Sequence, residues 1–182
     1  MNWKFLLTIG GIVVIVGLGI WFWPWFCCPS TPNITGNYIG AGSTVRINCQ
    51  GAEETRGYNV SLAMSGQPEV NTGTASITLV NTLISTPQAL KIVIDAPSLT
   101  VSPAGHMNGM VTYRLCHSIA ISSACTSALA DEGGGGFLAG TYYNNTVGLQ
   151  FVAAKTTPSL GCHFYGSILA MAPPAPPVPP MP

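Results

Sequence analysis

Charge is what this sequence has least of. Its 182 residues carry six Lys or Arg and six Asp or Glu, 7% in all, for a formal net charge of zero, where globular domains average about 25% charged. Nucleic acid is thereby excluded as a partner, because neutralising phosphates takes clustered basic side chains and these six are scattered along the chain. Catalytic signatures are missing as well. The sequence holds no G-x-S-x-G elbow, no H-E-x-x-H and no phosphate-binding loop, and its carboxylates fall in turn-like stretches such as Glu53-Glu54 beside Arg56. No catalytic residue is assigned, and an enzyme is not expected.

Cofactor chemistry is equally thin. Covalent haem needs C-x-x-C-H, which does not occur. Cys116-His117 and Cys162-His163 put neighbours on opposite faces of a strand, so neither pair offers one ion two ligands. The nearest approach to a metal set is His106, Met107 and Met110, a soft trio suited to Cu(I). An ordinary stretch between strands is the simpler reading of it, so neither metal nor cofactor is expected.

One further absence decides the N-terminus. From Phe5 to Phe22 runs a stretch without a single charge, ending in Trp21-Phe22-Trp23-Pro24-Trp25-Phe26-Cys27-Cys28-Pro29, and the small residues a signal peptidase requires do not follow it. Eighteen to twenty-two residues at helical rise span roughly 27–33 Å, a hydrocarbon core, with Trp21, Trp23 and Trp25 at the headgroup layer. Residues 1–29 therefore read as a cytoplasmic N-terminus and an uncleaved transmembrane anchor in the inner membrane. Lys4 precedes the run and no basic residue follows it until Arg46, so the N-terminus is placed in the cytoplasm and the remainder in the periplasm. Gly10 and Gly17, seven apart, share a helix face against which another helix can pack closely.

What remains is one domain, residues 30–171, and a tail, residues 172–182. Short segments alternate large apolar with small polar residues, and the chain past the anchor has no long run at helical period, so the domain reads as an all-β antiparallel sandwich or barrel of about 8–10 strands. Candidate strands are Ile34–Ile39, Thr44–Cys49, Tyr58–Met64, Thr74–Val80, Ala89–Asp95, Gly109–Cys116, Phe137–Tyr143, Val147–Ala154 and Cys162–Ala170. Gly133-Gly134-Gly135-Gly136 has no side chain to hold it and reads as a mobile loop. Four cysteines in an oxidising compartment allow three pairings. The nine-residue separation favours Cys116 with Cys125, which leaves Cys49 with Cys162, each beside the end of a strand-like run; Cys27 and Cys28 stay unassigned. Three N-x-S/T sequons, at Asn33, Asn59 and Asn144, matter only in a eukaryotic secretory pathway.

The tail repeats every three residues: Ala172-Pro173-Pro174-Ala175-Pro176-Pro177-Val178-Pro179-Pro180-Met181-Pro182. Proline fixes φ, so a polyproline II rod results, with Ala175, Val178 and Met181 along one edge for docking on a partner. A low-charge surface tolerates exposure poorly unless partners cover it. The expected function is a non-catalytic accessory or scaffold subunit of a large membrane complex, held by the bilayer and by neighbouring subunits. Bioenergetic assemblies are candidate hosts, respiratory or photosynthetic, the latter a reaction-centre and light-harvesting supercomplex. The alternatives are a membrane-anchored envelope adhesin or viral membrane protein, and a periplasmic copper-binding protein.

Overall fold

In Tyr58-Asn59-Val60-Ser61-Leu62-Ala63-Met64 every second side chain is large and apolar, and on a pleated strand those four share one face. All four are buried, while Asn59, Ser61 and Ala63 are exposed. The same logic repeats around a closed sheet. The computed structural model describes residues 30–49, 52–82, 88–155 and 163–174, with the backbone alone at 41–49, 52–54 and 82. Its strands are β1 (Gly36–Cys49), β2 (Ala52–Gln67), β3 (Thr72–Thr82), β4 (Gln88–Val101), β5 (His106–Ala120), β6 (Glu132–Tyr143), β7 (Thr146–Lys155) and β8 (His163–Met171). Each pairs antiparallel with the next, and β8 closes on β1, which makes an eight-stranded up-and-down barrel.

One circuit of the ladders, from Gln67 through Thr72, Thr100, Asn108, Ala139, Gln150, Ser167 and Thr44, returns to β2 at Gly57, ten residues away. That stagger tilts the strands and sets the bore, which at eight strands is narrow enough for side chains to fill. Here Leu62, Ile77, Ile94, Leu99, Leu115, Leu138 and Phe164 fill it, each at most 1% exposed. The interior is apolar and the outside of β2 and β3 is Ser, Thr and Asn, the inverse of a membrane-spanning barrel, which is apolar outward and polar within. Among the described residues no helix is long and apolar enough to cross a membrane; the expected span lies outside them.

Two sequence expectations are corrected. Ile34–Ile39 and Thr44–Cys49 are not separate strands: Gly36–Ile39 and Thr44–Cys49 are parts of β1, joined across an irregularity between Gly40 and Ser43, and Ile34 and Thr35 precede it. At Gly40 a Cβ would collide with the Leu169 carbonyl oxygen of β8, so only glycine lets the bulged strand approach so closely. The glycine run is not a loop either; Gly133–Gly136 all lie in β6, paired with Arg114–Val111 on one side and, from Gly134, with Lys155–Ala153 on the other. Gly134 and Gly136 face inward, where a Cβ would overlap the carbonyl oxygens of Ala154 and Val152. Tyr113, opposite Gly134, and Phe164 occupy the space so released, their ring centroids 4.7 Å apart. An aromatic ring laid over strand glycines replaces the contacts those residues lack.

One end of the barrel, here termed proximal, holds both the start and the finish of the described chain. Backbone bonds stitch its rim: Val101 N donates to Asn71 O at 2.8 Å, Tyr142 N to Gly105 O at 2.8 Å, and Ala172 N to Asn145 O at 2.9 Å. Thr31 adds its hydroxyl to the Asn71 side chain. Ile34, fully buried, seats over Gly66 and Gly73, and beneath it the Tyr38 hydroxyl donates to the Ile34 carbonyl at 2.8 Å.

Those buried hydroxyls give the barrel an alkaline limit. Burial first, and Tyr142 beside it second, push the Tyr38 pKa up to about 12. Tyr113 is raised as well, by burial and then by the Glu132 carboxylate. A tyrosine raised on folding contributes fully below its unfolded pKa near 10 and loses that contribution as pH climbs toward its folded value. Stability is therefore expected to fall between pH 10 and pH 12, by roughly 1.4 kcal/mol per pH unit for each such tyrosine. Denaturant midpoints that stay level from pH 9 to pH 12 would count against this.

Candidate functional site

The outside of the barrel is two unlike surfaces. On β2–β5 it is polar or covered except at a shallow trough among Ala63, Ala75, Ala96 and Pro97. Ser76 donates to the Asp95 carboxylate at 2.6 Å and Arg114 pairs with the same group, which joins β3, β4 and β5. Beyond them the β5–β6 connection folds back over Val93 and Ile119 with Cys116 and Cys125 in a second small apolar cluster. Lys91, 7% exposed, fixes that connection by donating to the carbonyls of Ile121 at 2.5 Å and Ser123 at 2.6 Å.

On β5–β8 the outside carries rows of exposed apolar side chains between polar ones. Met110, Phe137, Val152 and Tyr165 stand in register on four adjacent strands, Met110 opposite Phe137, Phe137 opposite Val152 and Val152 opposite Tyr165. The first three are 69%, 44% and 50% exposed. Two steps toward the proximal end the row is short-chained: Asn108, Ala139, Gln150 and Ser167. After it come His106, Thr141, Gly148 and Leu169, and then Tyr143, Thr146, Met171 and Ile39. Between the apolar rows the small residues leave a shallow trough of about 450 Å³, lined by Ala139, Thr141, Gly148, Gln150 and Ser167 among others. Two apolar ridges about a trough form a surface that other side chains can enter, and apolar patches of this kind on a monomer mark interaction sites.

Sequence-stated residues fall unevenly on this map. Met107 points into the core, whereas His106 and Met110 are outside. Four residues along one strand separate the latter two by about 13 Å, so the trio does not converge on one ion. Among the described residues no group of three or more His, Cys, Asp or Glu side chains is poised to hold a metal. Cys116 and Cys125 are bonded to each other, with Cα atoms 5.9 Å apart. Cys162 and the side chain of Cys49 lie outside the described residues, so the expected Cys49–Cys162 pairing does too. Gly10, Gly17, Trp21, Trp23, Trp25 and the tail edge Ala175, Val178 and Met181 also lie outside them.

The Cys116–Cys125 bond ties the β5–β6 connection to β5 across nine residues. Replacing both cysteines by serine is expected to lower stability by about 2–3 kcal/mol. Hydrogen exchange should accelerate mainly in residues 117–131, because Val93 and Ile119 lose their cover while the barrel ladders persist. Uniform acceleration over all eight strands would show that the connection belongs to the main core instead.

Sequence reasoning did not identify the apolar face. A local signal for it exists in the doublets Met110-Val111, Phe137-Leu138, Phe151-Val152 and Ile168-Leu169, since adjacent apolar residues on a strand must point to opposite sides. Val111, Leu138, Phe151 and Ile168 are the buried members. Their partners are the exposed ridge residues, but which doublets align side by side depends on register. No protein-family model, no curated protein and no solved structure matches the chain.

Proposed function

We propose that this protein is a non-catalytic accessory subunit of a membrane complex, held to the bilayer by residues 1–26 and bound to a neighbouring subunit through the β5–β8 face. The observation that carries the reading is the row Met110, Phe137 and Val152, exposed and in register on three adjacent strands. Exposed apolar side chains in register add little to a barrel whose core is already closed, roughly 0.2–1 kcal/mol per cross-strand pair, whereas a partner that covers them gains their burial at about 25 cal/mol per Å². The polar, ion-paired face of β2–β5 stays in water, so the barrel presents one side to the complex. A proline-rich tail leaving from β8, the last strand of the same face, adds a second point of attachment. The host complex is bioenergetic on this reading, respiratory or photosynthetic, and the contact lies on the periplasmic side.

Extraction from native membranes in a mild detergent, followed by native electrophoresis and identification of the proteins in the band, tests the proposal. Partners in fixed stoichiometry are the expected result. A chain that migrates alone under every mild condition would sink it and favour a free-standing surface module.

A further inference from the structure

Eleven of the twelve charged residues follow the N-terminal run, and the barrel sorts them by end. Glu53, Glu54, Lys91, Asp131, Glu132 and Lys155 belong to strand positions or connections at the far end. Arg46 and Arg56 lie in the far halves of β1 and β2, and Asp95 and Arg114 sit near the middle, bound to each other. At the proximal end, built from the β2–β3, β4–β5 and β6–β7 connections and the two ends of the described chain, the only full charge among the described residues is Glu69. In place of charge this end exposes Val70, Tyr143, Ile39 and Met171, at 60%, 75%, 58% and 57%. Pro103 and Ala104 are exposed on the β4–β5 connection beside them.

Chain length supplies the occupant. Thr31 is buried at this end and bonded to the Asn71 side chain. On the reading of residues 1–26 as a membrane span, only Cys27, Cys28, Pro29 and Ser30 intervene, and five steps of extended chain reach about 18 Å at most. The headgroup layer alone takes up about 5–8 Å of that. We infer that the proximal end of the barrel is a lipid-facing surface that rests in the headgroup layer, with Tyr143 and Val70 as its insertion points. The inference rests on the anchor reading and goes beyond it, since an anchored domain on a longer tether would not need such an end. Tyr143 suits the position: its ring is apolar and its hydroxyl wets, the amphipathic combination that interfaces select. With no Lys or Arg at this end, the contact is apolar rather than electrostatic, and it should not depend on anionic lipid.

The test uses the full-length protein in phosphatidylcholine nanodiscs, with a nitroxide attached through a genetically encoded ketone amino acid so that the cysteines are untouched. The label replaces Val70, Tyr143, Ile121 or Ile15, one at a time. Collision with lipid-soluble oxygen is compared with collision with a water-soluble nickel chelate. The expected result is an oxygen-to-nickel ratio several-fold higher at 70 and 143 than at 121, which is an exposed apolar position at the far end. A high ratio at 15 with low, equal ratios at 70, 143 and 121 would overturn the inference while the anchor stands. A low ratio at 15 as well would remove the anchor, and the lipid-facing end with it.

Discussion

Gly136→Val is expected to prevent the barrel from forming, while Gly135→Val one position earlier leaves it intact. The two glycines sit side by side in β6 but face opposite ways. A Cβ at Gly136 would overlap the Val152 carbonyl oxygen and crowd Ala153 Cα at 2.5 Å, both backbone atoms of β7. Nothing flexible is there to move. Overpacking in a core ordinarily costs about 1–3 kcal/mol; a collision with the neighbouring strand's backbone is worse, and a loss of about 4 kcal/mol or more is a large share of the roughly 5–15 kcal/mol that holds a domain together. At Gly135 the nearest atom is Val111 O at 3.4 Å, an ordinary contact on the outer face. There valine suits a strand better than glycine, so stability should hold or rise by a few tenths of a kcal/mol. Circular dichroism and denaturant melts of the two variants decide the matter, and equal behaviour would mean that β6 faces the other way.

The second large effect concerns assembly and spares the fold. If the proposed function holds, glutamate at both Phe137 and Val152 is expected to abolish retention by the proposed partner, because it places two charges at adjacent register positions in the middle of the apolar ridge. Anchors at the centre of an interface are worth about 2 kcal/mol each, roughly thirtyfold in affinity. Both side chains are outside the barrel, so its melting should move by less than about 1 kcal/mol. Ser61→Glu with Thr74→Glu, on the polar face of β2 and β3, serves as the matched control and should change neither property. Retention of the Phe137/Val152 variant at the wild-type level across a detergent series would show that the partner binds elsewhere.

Much of the barrel was legible because alternation is a local property. Tyr58–Met64 and Thr74–Val80 were read as half-buried strands, and their buried members Val60, Leu62, Ile77 and Leu79 are core residues. The nine-residue spacing of Cys116 and Cys125 pointed to the bond the structure contains. Closure was not legible, since the pairing of β8 with β1 joins residues more than a hundred positions apart. The glycine run misled for a related reason. Four glycines carry no pattern of their own, and what holds them in a strand is Tyr113 and the β7 backbone on either side. Composition argues for a loop wherever the stabilising side chains belong to other strands. The apolar face was hidden in the same way: each doublet announces one outward residue, but only register makes Met110, Phe137 and Val152 neighbours.

The bulge at Gly40 has a consequence for parity. An up-and-down chain with an odd number of strands leaves its sheet opposite to where it began, and one with an even number comes home. Had Ile34–Ile39 and Thr44–Cys49 been two strands, Pro174 would emerge at the end occupied by the Cys116–Cys125 bond. Because they are one, the chain starts at Thr31 and departs at Ala172 beside the same rim, Ala172 bonded to Asn145 and Thr31 to Asn71. A circularly permuted barrel could thus be joined tail to head by a short linker and reopened in residues 121–131, with every ladder kept. For the same reason a reporter fused directly after Pro174 begins beside the proximal rim, and one inserted at 121–131 stands a full barrel length away.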